Sequence, residues 1–115
     1  MTDYQSGGKT TLTSNVILTI ARMAALAVEG VNGLAPVRGG VNRFFGRGQD
    51  GVRIEIEDNN VFVDVFLVLN NNVNIREVSR NVQLQVARAI TEMAALEVSH
   101  VNIHIEDIEN PANEG

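Results

Sequence analysis

His100 and His104, the two histidines of this 115-residue chain, are its first candidates for chemistry, and Asn102 and Glu106 share their alternation. Imidazole nitrogens and carboxylates bind zinc, but each donor must lie about 2 Å from the ion. Residues four apart on an extended strand are about 13 Å from each other, so both rings cannot reach one ion unless the strand bulges. The expectation is a polar sheet face without a metal. SGGKTT (6–11) carries the Gly-Lys-Thr of a phosphate loop, yet the full pattern needs glycine where Asp3 stands and a strand leading in. No cofactor is expected. Glu55, Glu57, Glu77 and Glu92 fall on outward faces. Asp64 stands apart, a carboxylate between Phe62 and Phe66 on one strand face. Its expected partner is Arg53 across a hairpin, or another chain at an interface. A nucleophile needs a base within hydrogen-bond reach, and an acid–base pair needs carboxylates in unlike environments. Neither constellation is present, so no catalytic residue is assigned and no enzyme is expected.

Arg38, Arg43, Phe44, Phe45 and Arg47 form a second cluster, in a glycine-rich stretch. Two readings stand: the phenylalanines cap the core with solvated arginines around them, or they dock a partner. Base stacking or lipid contact is disfavoured by the net charge of −5 and the isoelectric point near 4.9. Phe62, Phe66 and Val68 beside Asp64 raise a related problem. If both helices lie on the other side of the sheet, this face needs a cover, either the 36–50 loop or another protein. Arg43, Phe44, Phe45, Arg47, Phe62, Asp64 and Phe66 are therefore the candidate protein-interaction residues, and a homo-oligomer is the expected state.

The positioning elements follow from periodicity. Ile17, Ile20, Ala21, Ala24, Ala27 and Val28 recur at helical spacing, with a cap at Thr13 or Ser14 and a stop at Gly30. Val16, Leu18, Met23 and Leu26 widen the apolar band, which predicts a helix covered on more than one side. TTLT (10–13) suggests a short strand, and another is expected near 34–37, with one helical turn near 41–45. VRIEIE (52–57) alternates, Asp58-Asn59-Asn60 suits a tight turn, and VFVDVFLVL (61–69) is apolar on both faces, as a central strand should be. Ile75, Val78, Val82, Val86, Ala89, Ile90 and Met93 predict a second helix. VSHVNIHIE (98–106) predicts the last strand, with Val101, Ile103 and Ile105 inward.

These elements make an α+β two-layer sandwich, two helices on a small mixed sheet. The expected organisation is a flexible arm over 1–9, one domain over 10–108 and a flexible acidic tail over 109–115. At this length no disulfide or metal is needed to hold a core, and there is no cysteine. No apolar run approaches the ~18–20 residues that span a bilayer, and the first residues lack the core of a signal peptide. A cytoplasmic protein without direct membrane insertion or nucleic-acid binding is expected.

MAALAVEGVN (23–32) returns as MAALEVSHVN (93–102). Its shared letters are aliphatic or small, closed by asparagine, so it suits one helix-to-strand joint used twice in a pseudo-duplicated unit. In that reading Met and Leu pack the helix end, the alanines allow close approach to the sheet, and Asn tolerates irregular backbone. The sequence also resembles the alkaline shock protein family of envelope stress response proteins, over about 10–108. The resemblance rests on V-I-x-x-I-A-x-x-A-x-x-x-V-E-G-V-x-G-L (16–34), the glycine-rich loop, the hairpin, N-I-R-E-V-S-R-N-V-Q-x-x-V (74–86) and M-A-A-L-E-V-x-x-V-N-I-H-I (93–105). It implies a small non-enzymatic scaffold or adaptor in cell-envelope homeostasis, held at the inner face of the membrane by a small membrane-anchored partner. The alternative it implies is regulation of a metabolic enzyme, the one that carboxylates acetyl-CoA for fatty-acid synthesis. It transfers no catalytic residue.

Overall fold

A computed structural model of the chain describes residues 5–36, 47–49 and 51–110, with side chains over 14–36 and 51–110. The element order is α1 (Gln5–Leu26), β1 (Val31–Leu34), β2 (Arg47–Gln49), β3 (Val52–Glu57), β4 (Asn60–Asn70), α2 (Ile75–Ala94) and β5 (Glu97–Glu109). Both helices pack on one face of a five-stranded mixed sheet, the α+β sandwich that periodicity predicts. α1 takes in Thr10–Thr13, where a strand was expected, because each residue joined to a growing helix adds a backbone bond and local β preference is weak against that. β1 lies at 31–34 instead of 34–37, and β5 runs on to Glu109. The expected turn near 41–45 lies outside the described residues.

The hairpin forms as its alternation requires. β3 and β4 pair antiparallel from Val52↔Val65 to Glu57↔Asn60, and Asp58 supplies the positive φ (58°) of the turn. β4 is central. β5 runs parallel along one edge, from Asn60↔Glu97 to Asn70↔Glu109, reached through α2. The other edge is shared end to end: β3 takes 60–65 and β1 takes 67–69. Their junction is Phe66, whose N–H donates to the Gly51 carbonyl (2.8 Å) and whose carbonyl accepts from the Ala35 N–H (2.9 Å). Ala35 and Gly51 thus flank Phe66, and the segment between them includes β2, which lies on the outer edge of β3.

The core is aliphatic. Val78, Val82, Val86 and Ile90, spaced by four, carry the buried stripe of α2, and Ile17, Leu18, Ala21 and Ala25 carry that of α1. They close on Val52, Ile54, Val61, Val63, Val65, Leu67 and Leu69 from the sheet. Each large side chain buried there contributes about 1.5–3 kcal/mol, so the alternation of β3 and β4 decides which face is covered. α2 starts at Asn74, whose Oδ1 accepts from the Glu77 N–H (3.0 Å).

The repeated phrase sits at the same joint twice, helix end, exit and strand start, but its side chains act differently from expectation. Met23 is 65% exposed, Met93 73% and Leu26 46%, so these residues do not pack the helix ends. The helix stripes reach the core through valine, isoleucine and alanine, leaving the methionines on the outer side. Val16 is likewise exposed, so of the residues that widen the α1 band only Leu18 is buried, and in α2 Ile75 is 43% exposed. The asparagines lie in strands and make side-chain bonds; the left-handed residue in the second copy is Ala95 (φ 58°, ψ 36°).

Candidate functional site

Alternation sends Val52 and Ile54 into the core and turns Arg53 and Glu55 to the face away from the helices. β4 does the same with Phe62, Asp64, Phe66 and Val68. β5 has single-residue register shifts opposite Val61/Phe62 and Leu67/Val68, and between them it places His100, Asn102 and His104 beside Phe62, Asp64 and Phe66. Two five-residue phrases, FVDVF (62–66) and HVNIH (100–104), therefore lie side by side in register. Each turns ring, polar group and ring to the face away from the helices, where Phe66 is buried and Phe62 half-buried.

The rings pair face to face across the strands. Phe62 and His100 stack with centroids 5.6 Å apart and planes at 15°; Phe66 and His104 stack at 4.4 Å and 10°. Asp64 lies between the two stacks and is met from three directions. Arg53 Nη2 donates to its Oδ2 (2.9 Å), while His104 Nε2 (2.9 Å) and Asn102 Nδ2 (3.3 Å) meet Oδ1. The Arg53 guanidinium is also 6.0 Å from the Phe66 ring centre, within cation–π range. Burial pushes the Asp64 carboxyl up, but the hydrogen bonds from His104, Arg53 and Asn102, with the charge of Arg53, outweigh it and hold the group below its ordinary 3.8.

A carboxylate stabilised in this way is a poor proton acceptor, since abstraction chemistry near neutral pH needs a raised pKa. Its oxygens are occupied by fixed donors. The cluster ties three strands together, with Phe66 buried at 5% exposure, Phe62 and His104 half-buried and His100 exposed. Among the described residues no three histidine, aspartate or glutamate side chains gather as metal ligands, and His100 and His104 serve separate stacks. An open cleft of about 670 Å³ lies between α1 and α2, with Glu29, Arg88 and Glu92 on its walls. There Arg88 and Glu92 pair with each other at 3.4 Å, one helical turn apart and well exposed.

Of the predicted interaction residues, the structure brings Phe62, Asp64 and Phe66 together and confirms the Arg53 partner across the hairpin. Arg47 lies in β2, opposite Ile54, with its side chain outside the described set. Arg38, Arg43, Phe44 and Phe45 lie outside the described residues, in the excursion whose two ends meet at Phe66. Sequence reasoning missed the ring stacks and the Asp64–His104 contact. The signal was available in the matched spacing of FVDVF and HVNIH.

Comparison with known proteins agrees with the fold and the motifs. YqhY of Bacillus subtilis (strain 168), described as uncharacterized, is 33% identical over 108 residues, covering 89% of this chain and 78% of that protein. Spy1535 of Streptococcus pyogenes serotype M6, also described as uncharacterized, is 31% identical over 104 residues, covering 88% and 79%. Among solved structures, the MamM CTD superposes with a TM-score of 0.56 at 14% identity, over 81% of this chain and 96% of that one, which is a likeness of fold. No helix among the described residues is long and apolar enough to cross a membrane. Residues 2–110 match the alkaline shock protein 23 (ASP23) family, described by a cell envelope-related function, and the chain belongs to that family.

Proposed function

We propose that this protein is a non-enzymatic cytoplasmic scaffold or adaptor of the cell envelope. It works by self-association and by binding a small membrane-anchored partner, which holds it at the inner face of the membrane. The observation that carries this reading is the open sheet face. Its ionisable centre, Asp64, is engaged by Arg53, His104 and Asn102. What this face offers for contact is therefore the exposed His100, the half-buried Phe62 and His104, and fixed polar groups, with Phe66 buried beneath them. The segment that bears Arg43, Phe44, Phe45 and Arg47 runs between Ala35 and Gly51, whose backbones both bond to Phe66. Phe62 with Arg43, Phe44, Phe45 and Arg47 is the proposed docking surface, backed by Asp64 and the buried Phe66. The family's cell envelope-related function supports the setting.

The test is affinity capture from detergent-solubilised envelopes with wild type and with Phe44→Asp/Phe45→Asp, catches being identified by mass spectrometry. The expected catch is a small protein with a membrane-spanning helix, lost in the variant while circular dichroism stays unchanged. A carboxylase subunit as the dominant catch, retained by both forms, would replace this reading with the regulatory one.

A further inference from the structure

β5 is the outermost strand beyond β4, and its far edge has no strand partner among the described residues. The ladder identifies the backbone groups on that edge. Glu97 donates its N–H to Asn59 (3.2 Å) and Glu109 accepts from the Asn71 N–H (2.9 Å), so both aim at β4. Backbone groups alternate sides along a strand, and each of the two register shifts inserts one residue. Counting inward from either end gives one answer: Val101, Ile103 and Ile105 aim away from β4, with Val98 and Ile108 beyond them. In agreement, the Val101 carbonyl accepts from outside the sheet, from Gln83 Nε2 of α2 at 2.9 Å.

Those residues have a further property. Val98, Val101, Ile103 and Ile105 also turn their side chains to the helix layer, and Ile108 shares their phase opposite Leu69. The spacing of Val98, Val101, Ile103, Ile105 and Ile108 is the same read in either direction from Ile103, the two irregularities included. A strand with that symmetry can lie antiparallel against its own copy, about a two-fold axis through the central residue. Every inward side chain then meets an inward one, and the two irregularities, at Ser99 and Glu106, fall within one residue of facing each other.

We propose that two copies of this chain join through their β5 edges, antiparallel and centred on Ile103, so that two five-stranded sheets become one. The inference rests on the self-association in the proposed function and names its surface. Ile103 exchanges both backbone bonds with its own copy, and Val101 does so with Ile105 of the second copy on each side, its carbonyl exchanging the Gln83 donor for the Ile105 N–H, about six bonds over the central stretch. On the open face His100 stands opposite Glu106 of the second copy, and Asn102 opposite His104. Glu97 falls opposite Glu109, so like charges end the ladder at its margins. The two-fold axis keeps both helix layers on the same side. Leu84, 57% exposed, then gains a cover: with Ala87, Thr91 and Val98 it lines a groove of about 370 Å³ between α2 and β5. The central stretch, 100–105, has no proline, lysine or acidic residue to blunt it.

The experiment combines sedimentation equilibrium of the full chain with amide hydrogen exchange followed by NMR. Expected is twice the 12.5 kDa of one chain, with Val101, Ile103 and Ile105 amides exchanging about a hundredfold more slowly in the dimer than after dilution to monomer. Ile103→Pro removes an N–H that β4 does not use, and should give a folded monomer. Leu84→Glu, on the surface beside the edge, should weaken the dimer tenfold or more if the proline variant does not fold. A chain that stays monomeric at millimolar concentration overturns both this inference and self-association. A dimer whose Ile103 and Ile105 amides exchange freely, or that tolerates Leu84→Glu, overturns the β5 edge alone.

Discussion

Replacing Asp64 by alanine removes three contacts from the open face, and the structure sets their weight. A hydrogen bond to a charged group contributes about 1.5–3 kcal/mol, while exposed ion pairs contribute about 0–1. The Arg53 and Asp64 side chains are 23% and 17% exposed, so their 2.9 Å pair falls between those limits, near ~1.5 kcal/mol. The His104 bond adds about 0.5–1 kcal/mol, and the 3.3 Å Asn102 contact less. Against these stands relief of the desolvation cost of a partly buried carboxylate, on the order of 1 kcal/mol. Asp64→Ala should therefore destabilise by about 1.5–2 kcal/mol in urea unfolding, with the slope of the transition unchanged. Asp64→Asn keeps the shape but turns an amide N–H₂ toward a donor, and should fall between alanine and wild type.

The pH dependence gives a sharper check. The folded carboxyl titrates below its ordinary 3.8, because its hydrogen bonds and the charge of Arg53 outweigh burial. Its contribution is fully present above 3.8 and is lost as pH falls from there through the folded-state value. The stability gap between wild type and Asp64→Asn should be constant near neutrality and shrink below about pH 4. Other carboxylates titrate in both proteins and cancel in the difference. A gap that does not change on acidification, or an Asp64→Ala effect under about 0.5 kcal/mol, would refute the argument that these contacts stabilise the sheet.

Two further substitutions test the backbone. Gly51 has φ +84°, and an added Cβ would lie 2.5 Å from Leu34 Cβ and 2.8 Å from the Ala35 carbonyl, so Gly51→Ala should cost about 2–4 kcal/mol in chemical unfolding and loosen the junction at Phe66. Ala95 holds a left-handed φ of 58° at the end of α2, a conformation that glycine adopts freely, so Ala95→Gly should raise stability by about 0.5–1 kcal/mol, read as a higher melting temperature.

The parts of the fold legible in the sequence are those where one local pattern decides the outcome. Strict alternation in 52–57, a turn-forming Asp-Asn and a strand apolar on both faces were enough to place the β3–β4 hairpin and to make β4 central. The spacing of Val78, Val82, Val86 and Ile90 was enough for α2. Illegible parts depend on choices between partners. TTLT is short and β-branched, and only its attachment to a long helix makes it helical. The methionines of the repeated phrase are apolar by type, yet the buried stripes run past them through Ala21 and Ala25 in α1 and through Val86 and Ile90 in α2. Asp64 was visible as an oddity, and Arg53 followed from hairpin register. His104 and Asn102 did not, because nothing local to 98–106 tells which strand it lies beside or in which direction. A parallel neighbour is set by the crossover through α2, and a shift of one residue would have separated every ring pair.

That dependence on register bears on how a face of this kind can work. The ring stacks and the Asp64 contacts exist only while β3, β4 and β5 keep their alignment, so the open face is a property of three strands together. β4 has both edges occupied and β3 is paired with β2, which leaves the outer edge of β5 as the long strand edge open to another chain. A second strand laid there would hold β5 from the side opposite β4, on both flanks of the residues that set the His100 and His104 rings. Assembly along β5 would then stiffen the strands on which Phe62 and Phe66 lie, and the junction at Phe66 where Ala35 and Gly51 bond to β4. The proposed self-association and the proposed partner binding would then be coupled through β5, the first using its edge and the second its face.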